Sequence, residues 1–313
     1  MLESKQCLLM KIEGSYGVDA APTATDAVLT GPVTWGITDG STQRNCVVPF
    51  FGDLGKIPIG TGIDLSFQVE MFGSGTAATP SKPHGLLMRA AGFSETITST
   101  VVYNETSVMD TESVTIWWYN DGILYKATGC VVDSIKFDMQ ANKLTMMDVK
   151  LSGLFSGVAT AITDQAMITP IYGTLQIPPV LQNASFSLDS YASNISKCEI
   201  TVTNKIVRRS SPNLTAGVFP MSVVSRDVKG SIDPEMVALA TYNPWTTWNA
   251  STTGALAITV GASAGNKWTF AAPNCLKEIP KIGNRGGIRT YSLAFDCIVA
   301  ISTGNNRLTL THL

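Results

Sequence analysis

Three features of the chain predict an all-β fold. Polar and apolar residues alternate along its longest regular stretches. Gly and Pro recur every ten or so residues, and the β-formers Thr, Ser, Val and Ile dominate over helix formers. A repeat then divides the chain. The segment from Ile123 to Leu154 returns from Trp268 to Ile298, each copy reading as strand, turn and strand. Adding 144 to Met147, Val149, Leu151 and Gly153 gives Tyr291, Leu293, Phe295 and Cys297, all on one face of a period-two strand. The 313 residues therefore read as two tandem β-sandwich or barrel domains with one short helix each.

The elements follow in chain order. Residues 1–30 are an arm: a short strand, Cys7 to Ile12, then turn formers and small residues without periodicity, too sparse in apolar side chains to fold alone. It must lie on the body of its own chain or on a neighbour. The first domain, residues 31–154, holds strands at Val33 to Ile37 and Asn45 to Phe51. A projecting loop at Gly52 to Thr61 follows them. The stretch Gly62 to Phe72 alternates, with Ile63, Leu65, Phe67, Val69 and Met71 on one face. A helix over Pro83 to Gly92 starts at a Pro and stops at a Gly. Ser113 to Tyr119 and Ile123 to Thr128 form a hairpin around Asn120-Asp121-Gly122, because Asp-Gly supplies the positive φ of a tight turn.

Residues 155–182 read as a linker stiffened by Pro178-Pro179, and residues 183–313 as the second domain. There Cys198 to Val207 matches Cys46 to Phe51, Ser225 to Asp233 matches Gly62 to Glu70 with Asp227 under Asp64, and Pro234 to Tyr242 is the second helix.

Charged residues make up 15% of the chain, few for a soluble monomer, so the surface is either rich in Ser, Thr and Asn or covered by partner subunits, with partner subunits favoured. Residues 1–156 carry 10 Lys/Arg against 16 Asp/Glu, and the remainder 12 against 8, so the halves stand near -6 and +4. No Arg/Lys cluster with interleaved aromatics marks a nucleic-acid site. The first residues show no apolar leader with a cleavage site, and no run reaches membrane-span length, so the expectation is a cytoplasmic protein that does not insert in membranes. The six cysteines contain no C-x-x-C pair, and read as small buried side chains, with Cys46 paired to Cys198 and Cys130 to Cys275 in the two halves.

No catalytic constellation, metal site or cofactor motif emerges. The two histidines, His84 at the start of a short helix and His312 next to the last residue, stand in no recognisable acid/base setting. Glu105, Asp110 and Glu112 lack calcium-loop spacing. The Gly-rich places read as hairpin turns rather than phosphate cradles, since none joins a strand to a helix in the required spacing. Lys205 to Ser211 is the one basic cluster, either a charged hairpin tip that blunts a sheet edge or a contact for an acidic partner. Trp117-Trp118-Tyr119 and Trp245 with Trp248 read as core and subunit contact, with Trp118 inward, ahead of a sugar-binding surface.

The arm sequence Leu9-Met-Lys-Ile-Glu-Gly-Ser-Tyr-Gly-Val-Asp-Ala-Ala-Pro-Thr-Ala-Thr-Asp-Ala-Val-Leu29, followed by this strand and helix order in each half, resembles the major tail tube proteins of long-tailed, siphophage-type bacteriophages. The resemblance implies a β-sandwich or open barrel flanked by a helix, whose inner sheets join around a ring. It also implies rings that stack into a virion tail tube, through which genomic DNA passes without specific binding. Other tail proteins would meet the tube ends, and assembly would occur in the host cytoplasm. Members usually carry one such domain and close as hexamers; two domains per chain imply a pseudo-hexameric homotrimer.

On that reading Asp64, Ser66, Gln68, Glu70 and Asp227 face the lumen. Leu9, Ile12 and Tyr16 of the arm, Leu54, Ile57 and Ile59 of the loop, and Arg208 and Arg209 make inter-ring or inter-subunit contacts. The rival reading is a secreted or surface β-sandwich adhesin that binds carbohydrate, which the Trp pairs and Thr/Asn/Ser-rich strands suggest.

Overall fold

A computed structural model describes residues 5–313 apart from 39, 53, 61, 109, 110, 161–171, 173, 174, 183, 215, 216 and 303. In the first half the chain forms β1 (Gln6–Ile12), β2 (Ala27–Val28), β3 (Thr34–Thr38), β4 (Ser41–Gln43), β5 (Lys56–Pro58) and β6 (Gly62–Glu70). It continues through α1 (Lys82–Ala90), β7 (Phe93–Ile97), β8 (Val101–Glu105), β9 (Val114–Asn120), β10 (Ile123–Gln140) and β11 (Met146–Thr160). The second half forms β12 (Ser185–Leu188), β13 (Lys197–Val207), β14 (Ser222–Ile232), α2 (Pro244–Asn249) and β15 (Thr253–Val260). It ends with β16 (Trp268–Lys277), β17 (Lys281–Arg285), β18 (Ile288–Cys297) and β19 (Thr309–His312). The fold is all-β, with two short helices.

Eight of these strands form one antiparallel front sheet in the order β3-β6-β11-β10-β13-β14-β18-β17. Behind it, β2, β1 and β9 continue from the first part of β10, and β12-β15-β16-β19-β8-β7 form a second ladder. The 18-residue β10 and 15-residue β11 belong to both layers, turning through bulges near Gly129 and Asp133. Inward side chains of both layers meet in one core that includes Phe67, Phe137, Ile200, Phe270, Leu293 and Phe295. Each such burial contributes roughly 1.5–3 kcal/mol.

The pairings repeat. β3, β6, β11, β10 and β9 neighbour one another as β13, β14, β18, the β16–β17 run and β15 do. Met147, Val149 and Leu151 face the core, as do Tyr291, Leu293 and Phe295. The repeat extends to a detail of packing. A Cβ on Gly153 would lie 2.4 Å from Cys130 Sγ, so that glycine leaves room for the thiol. At the same place in the second half, Cys297 takes the glycine's position and its sulfur lies 3.9 Å from that of Cys275.

Several expectations need correction. Asn45 to Phe51 is not a strand. It is the exposed tip of a hairpin whose ends are the β4–β5 pair, and Val47, Phe50 and Phe51 lie in solvent because nothing in the chain packs over the tip. Cys46 is therefore exposed, and the strand equivalent to β13 is β3. Pro234 to Tyr242 is not helical, because backbone bonds from Tyr291 to Pro234 and from Met236 to Arg289 hold its start extended against β18. The second helix begins later, where Pro244 follows Asn243 and the Asn243 side chain accepts from the Thr246 N–H. Residues 155–160 belong to β11, and most of the remaining linker lies outside the described residues. The strand register sets Asp64 opposite Ser152 and Lys229 opposite Asp296, so Lys229, two residues past Asp227, stands where Asp64 does.

The halves are joined in both layers. β10 pairs with β13 over seven residues, and β19 from the chain's end pairs with β8. Arg226 of β14 reaches the end of α1, donating to the Ala91 and Gly92 carbonyls and, through Nε, to Asn204 at 2.8 Å. Gly92 has φ +82°, the left-handed turn that ends this helix.

His84 and His312, 228 residues apart in sequence, flank one indole: Trp268 lies with ring centroids 5.2 and 4.8 Å from them. Glu70 O can only accept, so His84 Nε2 donates to it at 3.0 Å and Nδ1 accepts from Ser81 at 2.8 Å. Burial pushes the His84 pKa down to about 3, with His312 adding to the drop against the opposing carbonyl bond. His312 is lowered as well, again by burial.

Below the unfolded value of about 6.5, the unfolded chain binds protons that the folded one refuses, so this stability is present above that pH and is lost as pH falls. Denaturation midpoints should therefore decline between pH 6.5 and 5, above the carboxylate range. His84→Gln should flatten that decline by up to about 1.4 kcal/mol per pH unit. Parallel curves for the two proteins would show that His84 does not carry it.

Candidate functional site

The front sheet has one face on the core and one open. On β6 the alternation puts Ile63, Leu65, Phe67 and Val69 inward and Asp64, Ser66, Gln68 and Glu70 on the open face; Asp227 of β14 is exposed there too. The five residues read from sequence thus share one surface, spread over two strands of a single sheet. β6 and β14 are separated by β11, β10 and β13.

Cross-strand side-chain bonds link neighbouring strands on this face. Asp64 accepts from Ser152 Oγ at 2.9 Å and Thr38 Oγ1 at 3.1 Å, and Gln68 Nε2 donates to Asp148 at 2.7 Å. At the junction of the halves, Glu199 lies 2.7 Å from Lys136 Nζ and 2.8 Å from Lys197 Nζ. Partial burial raises the Glu199 pKa, but the two lysines outweigh it and the net shift is downward. Lys229 pairs with Asp296 at 3.1 Å. Asp133 is pushed up by partial burial and by Asp64 beside it, with Lys150 opposing.

The distribution is uneven. On the strands of the first half, Asp64, Glu70, Asp133, Asp138 and Asp148 stand against Lys136 and Lys150. On the open face of those of the second, Glu199, Asp227 and Asp296 stand against Lys197, Lys205, Lys229, Lys281 and Arg285. Lys136, Lys197, Lys229 and Arg285 face carboxylates in ion pairs, which lowers the number of cations open to a polyanion. Among the described residues no group of three or more His, Cys, Asp or Glu could hold a metal ion, and no helix is long and apolar enough to cross a membrane.

The assembly candidates divide. Leu9 is wholly buried, Ile12 packs against the core, and Tyr16 packs beside Val131, Leu154, Val218 and Met221, so these three serve the chain's own interior. The cause is that β1 pairs with β9 over its full length and the arm behind it is tied by a buried carboxylate. Glu13 accepts from Ser113 Oγ at 2.6 Å, Thr115 Oγ1 at 2.8 Å, Gly17 N at 2.7 Å and Gly129 N at 2.7 Å. Farther along the arm, Asp19 accepts from Trp117 Nε1 at 3.0 Å, and Lys126 lies 3.9 Å from that ring. Trp118 and Tyr119 are both buried, and Trp117 is partly buried against Cys7, Leu9 and Tyr119.

Leu54, Ile57 and Ile59 are exposed on the β4–β5 hairpin. Arg208 is exposed but donates to the Gly60 and Gly153 carbonyls, tying the base of that hairpin to the β13–β14 connection, and Arg209 lies over Phe219. Two sheet edges were not evident from sequence. β3 pairs only with β6 and β17 only with β18 among the described residues, and both carry exposed isoleucines, Ile37 and Ile282.

The family described as phage tail tube protein matches residues 3–297. The chain belongs to that family. A comparison with curated proteins finds no match. As a phage tail tube protein it is a structural component of the virion tail, and membership implies self-assembly into a tube. The tail tube protein thus has one open polar face and one arm folded onto its own body, a distinction the sequence alone does not draw.

Removing the anchor of that arm has a measurable cost. Glu13→Ala leaves two buried hydroxyls and two backbone N–H groups without their acceptor, and should destabilise the chain by about 2–4 kcal/mol in urea titration. A change below about 0.5 kcal/mol would mean the arm is held by strand pairing alone.

Proposed function

We propose that this tail tube protein polymerises as stacked rings of three chains, each chain placing two equivalent halves side by side in the wall, and that the open face of the front sheet lines the channel through which phage DNA passes. The single observation that carries the reading is the front sheet itself. Its eight strands alternate in direction, its open face is polar and acid-rich, and its two outer strands lack partners on their free sides among the described residues. Three such sheets supply twenty-four strands. At a spacing of about 4.8 Å these give a wall at least roughly 37 Å across between backbones, wide enough for a duplex about 20 Å across.

The direction of the strands favours closure. β3 and β17 run oppositely in the sheet, so the β17 edge of one chain can continue antiparallel onto the β3 edge of the next, and every junction then brings a first half beside a second half. The near -6 and +4 charges of the halves favour that alternation over like-with-like contact. A neutral to acidic lining suits a polyanion that must slide, since rows of unpaired Lys/Arg would add a salt-dependent grip. The exposed hairpin tip, with Val47, Phe50, Phe51, Leu54, Ile57 and Ile59, leaves the same rim of the sheet as the β13–β14 connection and bridges successive rings, and other tail proteins meet the tube ends.

Negative-stain microscopy with native mass measurement of the purified protein tests the assembly: rings or hollow filaments built from multiples of three chains are expected, and six chains per layer would sink the trimer. The lining is tested in phage. Asp64→Asn, Glu70→Gln and Asp227→Asn together should leave assembly intact and slow DNA ejection, whereas unchanged ejection kinetics would remove these carboxylates from the lumen.

A further inference from the structure

The internal repeat offers a template for the contact between chains, one residue pair at a time. Within the chain, β10 and β13 pair so that Phe137 opposes Ile200, Lys136 opposes Thr201 and Ile135 opposes Val202. Each of these strands has an equivalent at a free edge of the same sheet. Phe137 pairs with Met147 on β11, and Ile282 pairs with Tyr291 on β18, with Met147 and Tyr291 in repeat register, so Ile282 stands where Phe137 does. On the other side, Ile200 connects through Gly230 to Phe295, and Trp35 through Leu65 to Leu151; Leu151 and Phe295 are also in register, so Trp35 stands where Ile200 does.

We infer that β17 of one chain and β3 of the next pair antiparallel in this same register, with Ile282 opposite Trp35, Lys281 opposite Gly36 and Pro280 opposite Ile37 of the second copy. The inference rests on the ring reading above and adds to it the identity of the seam.

Exposure distinguishes the two junctions as a made and an unmade version of one contact. In the internal junction Phe137 is 0% and Val202 1% exposed, whereas their equivalents at the free edges, Ile282 and Ile37, are 59% and 52% exposed. Both free edges are short strands whose outer backbone groups have no strand partner among the described residues, and neither points a charge toward the core, Lys281 and Arg285 of β17 lying on the open-face side. A second copy is the occupant that the chain's own pairing specifies, since the same sequence pattern already accepts that partner once.

The two junctions also differ in a way that gives the seam its own character. Glu199, which gathers Lys136 and Lys197, is replaced at the equivalent place by Thr34, and Lys197 by Pro32. The internal junction carries a charge cluster on its open face, and the seam holds through backbone bonds and apolar contact.

Paired cysteines test the register in the full chain, in a Cys46→Ser background that removes the exposed native thiol. Gly36 accepts a side chain, because its Cβ would meet nothing closer than Asp64 O at 3.9 Å. Gly36→Cys with Lys281→Cys, treated with a short bismaleimide, should give linked dimers and trimers on denaturing gels, while each single variant stays monomeric. The control pair is Gly36→Cys with Arg285→Cys, about 13 Å further along the strand, and should link at least tenfold less. Rings seen by microscopy without the 36–281 link, or with the 36–285 link preferred, overturn the seam and leave the ring reading standing. A parent protein that forms no rings overturns the ring reading and the seam with it.

Discussion

Seven residue pairs between β10 and β13 turn two four-stranded units into one eight-stranded sheet. Without that junction each half would present a four-stranded sheet with two open edges; with it, an eight-stranded sheet has edges only at β3 and β17. The pairing also buries Phe137 and Ile200 and aligns Lys136 with Glu199 on the opposite face, so a single register serves the core and the open surface together. A slip of one residue would turn Phe137 outward and Lys136 inward, which is why both halves must keep the same alternation. The remaining links, β19 on β8, Arg226 on the end of α1, and Trp268 between His84 and His312, fix the back layer to match.

What could be read from the sequence was what local pattern determines. The alternation of Gly62 to Glu70, the Asp121-Gly122 turn and the repeat of Met147 in Tyr291 each follow from period-two geometry or turn chemistry, and each stands in the structure. What was misread depends on partners distant in sequence. Asn45 to Phe51 has the composition of a buried strand but finds no ladder, and Pro234 to Tyr242 has helix formers but is drawn extended by β18. Leu9 and Tyr16 read as contacts for a neighbour because nothing nearby in sequence covers them. The cover comes from β9, β10 and the β13–β14 connection, roughly 100 to 200 residues on. The five open-face residues followed from alternation alone, whereas the free edges did not, since an edge is defined by what fails to pair.

Repeating the strand pairings within one chain changes what the tail tube protein can encode. Two separate copies must present identical edges to one another, but two fused halves are free to differ, and these do. The first half carries most of the open-face carboxylates and the long apolar hairpin, the second most of the lysines and the shorter connection. Glu199 with Lys136 and Lys197 links the strands at the junction inside the chain, whereas at the proposed seam Thr34 and Pro32 take the places of Glu199 and Lys197, so Lys281 meets no acid there.

The most direct measurement of this account is a cryo-electron microscopy cross-section of the assembled tube. It should show both halves of every chain at the same radius, three chains per layer, and a wall of twenty-four strands continuous across chain boundaries. Six chains per layer, with one half lining the channel and the other projecting outside it, would contradict it.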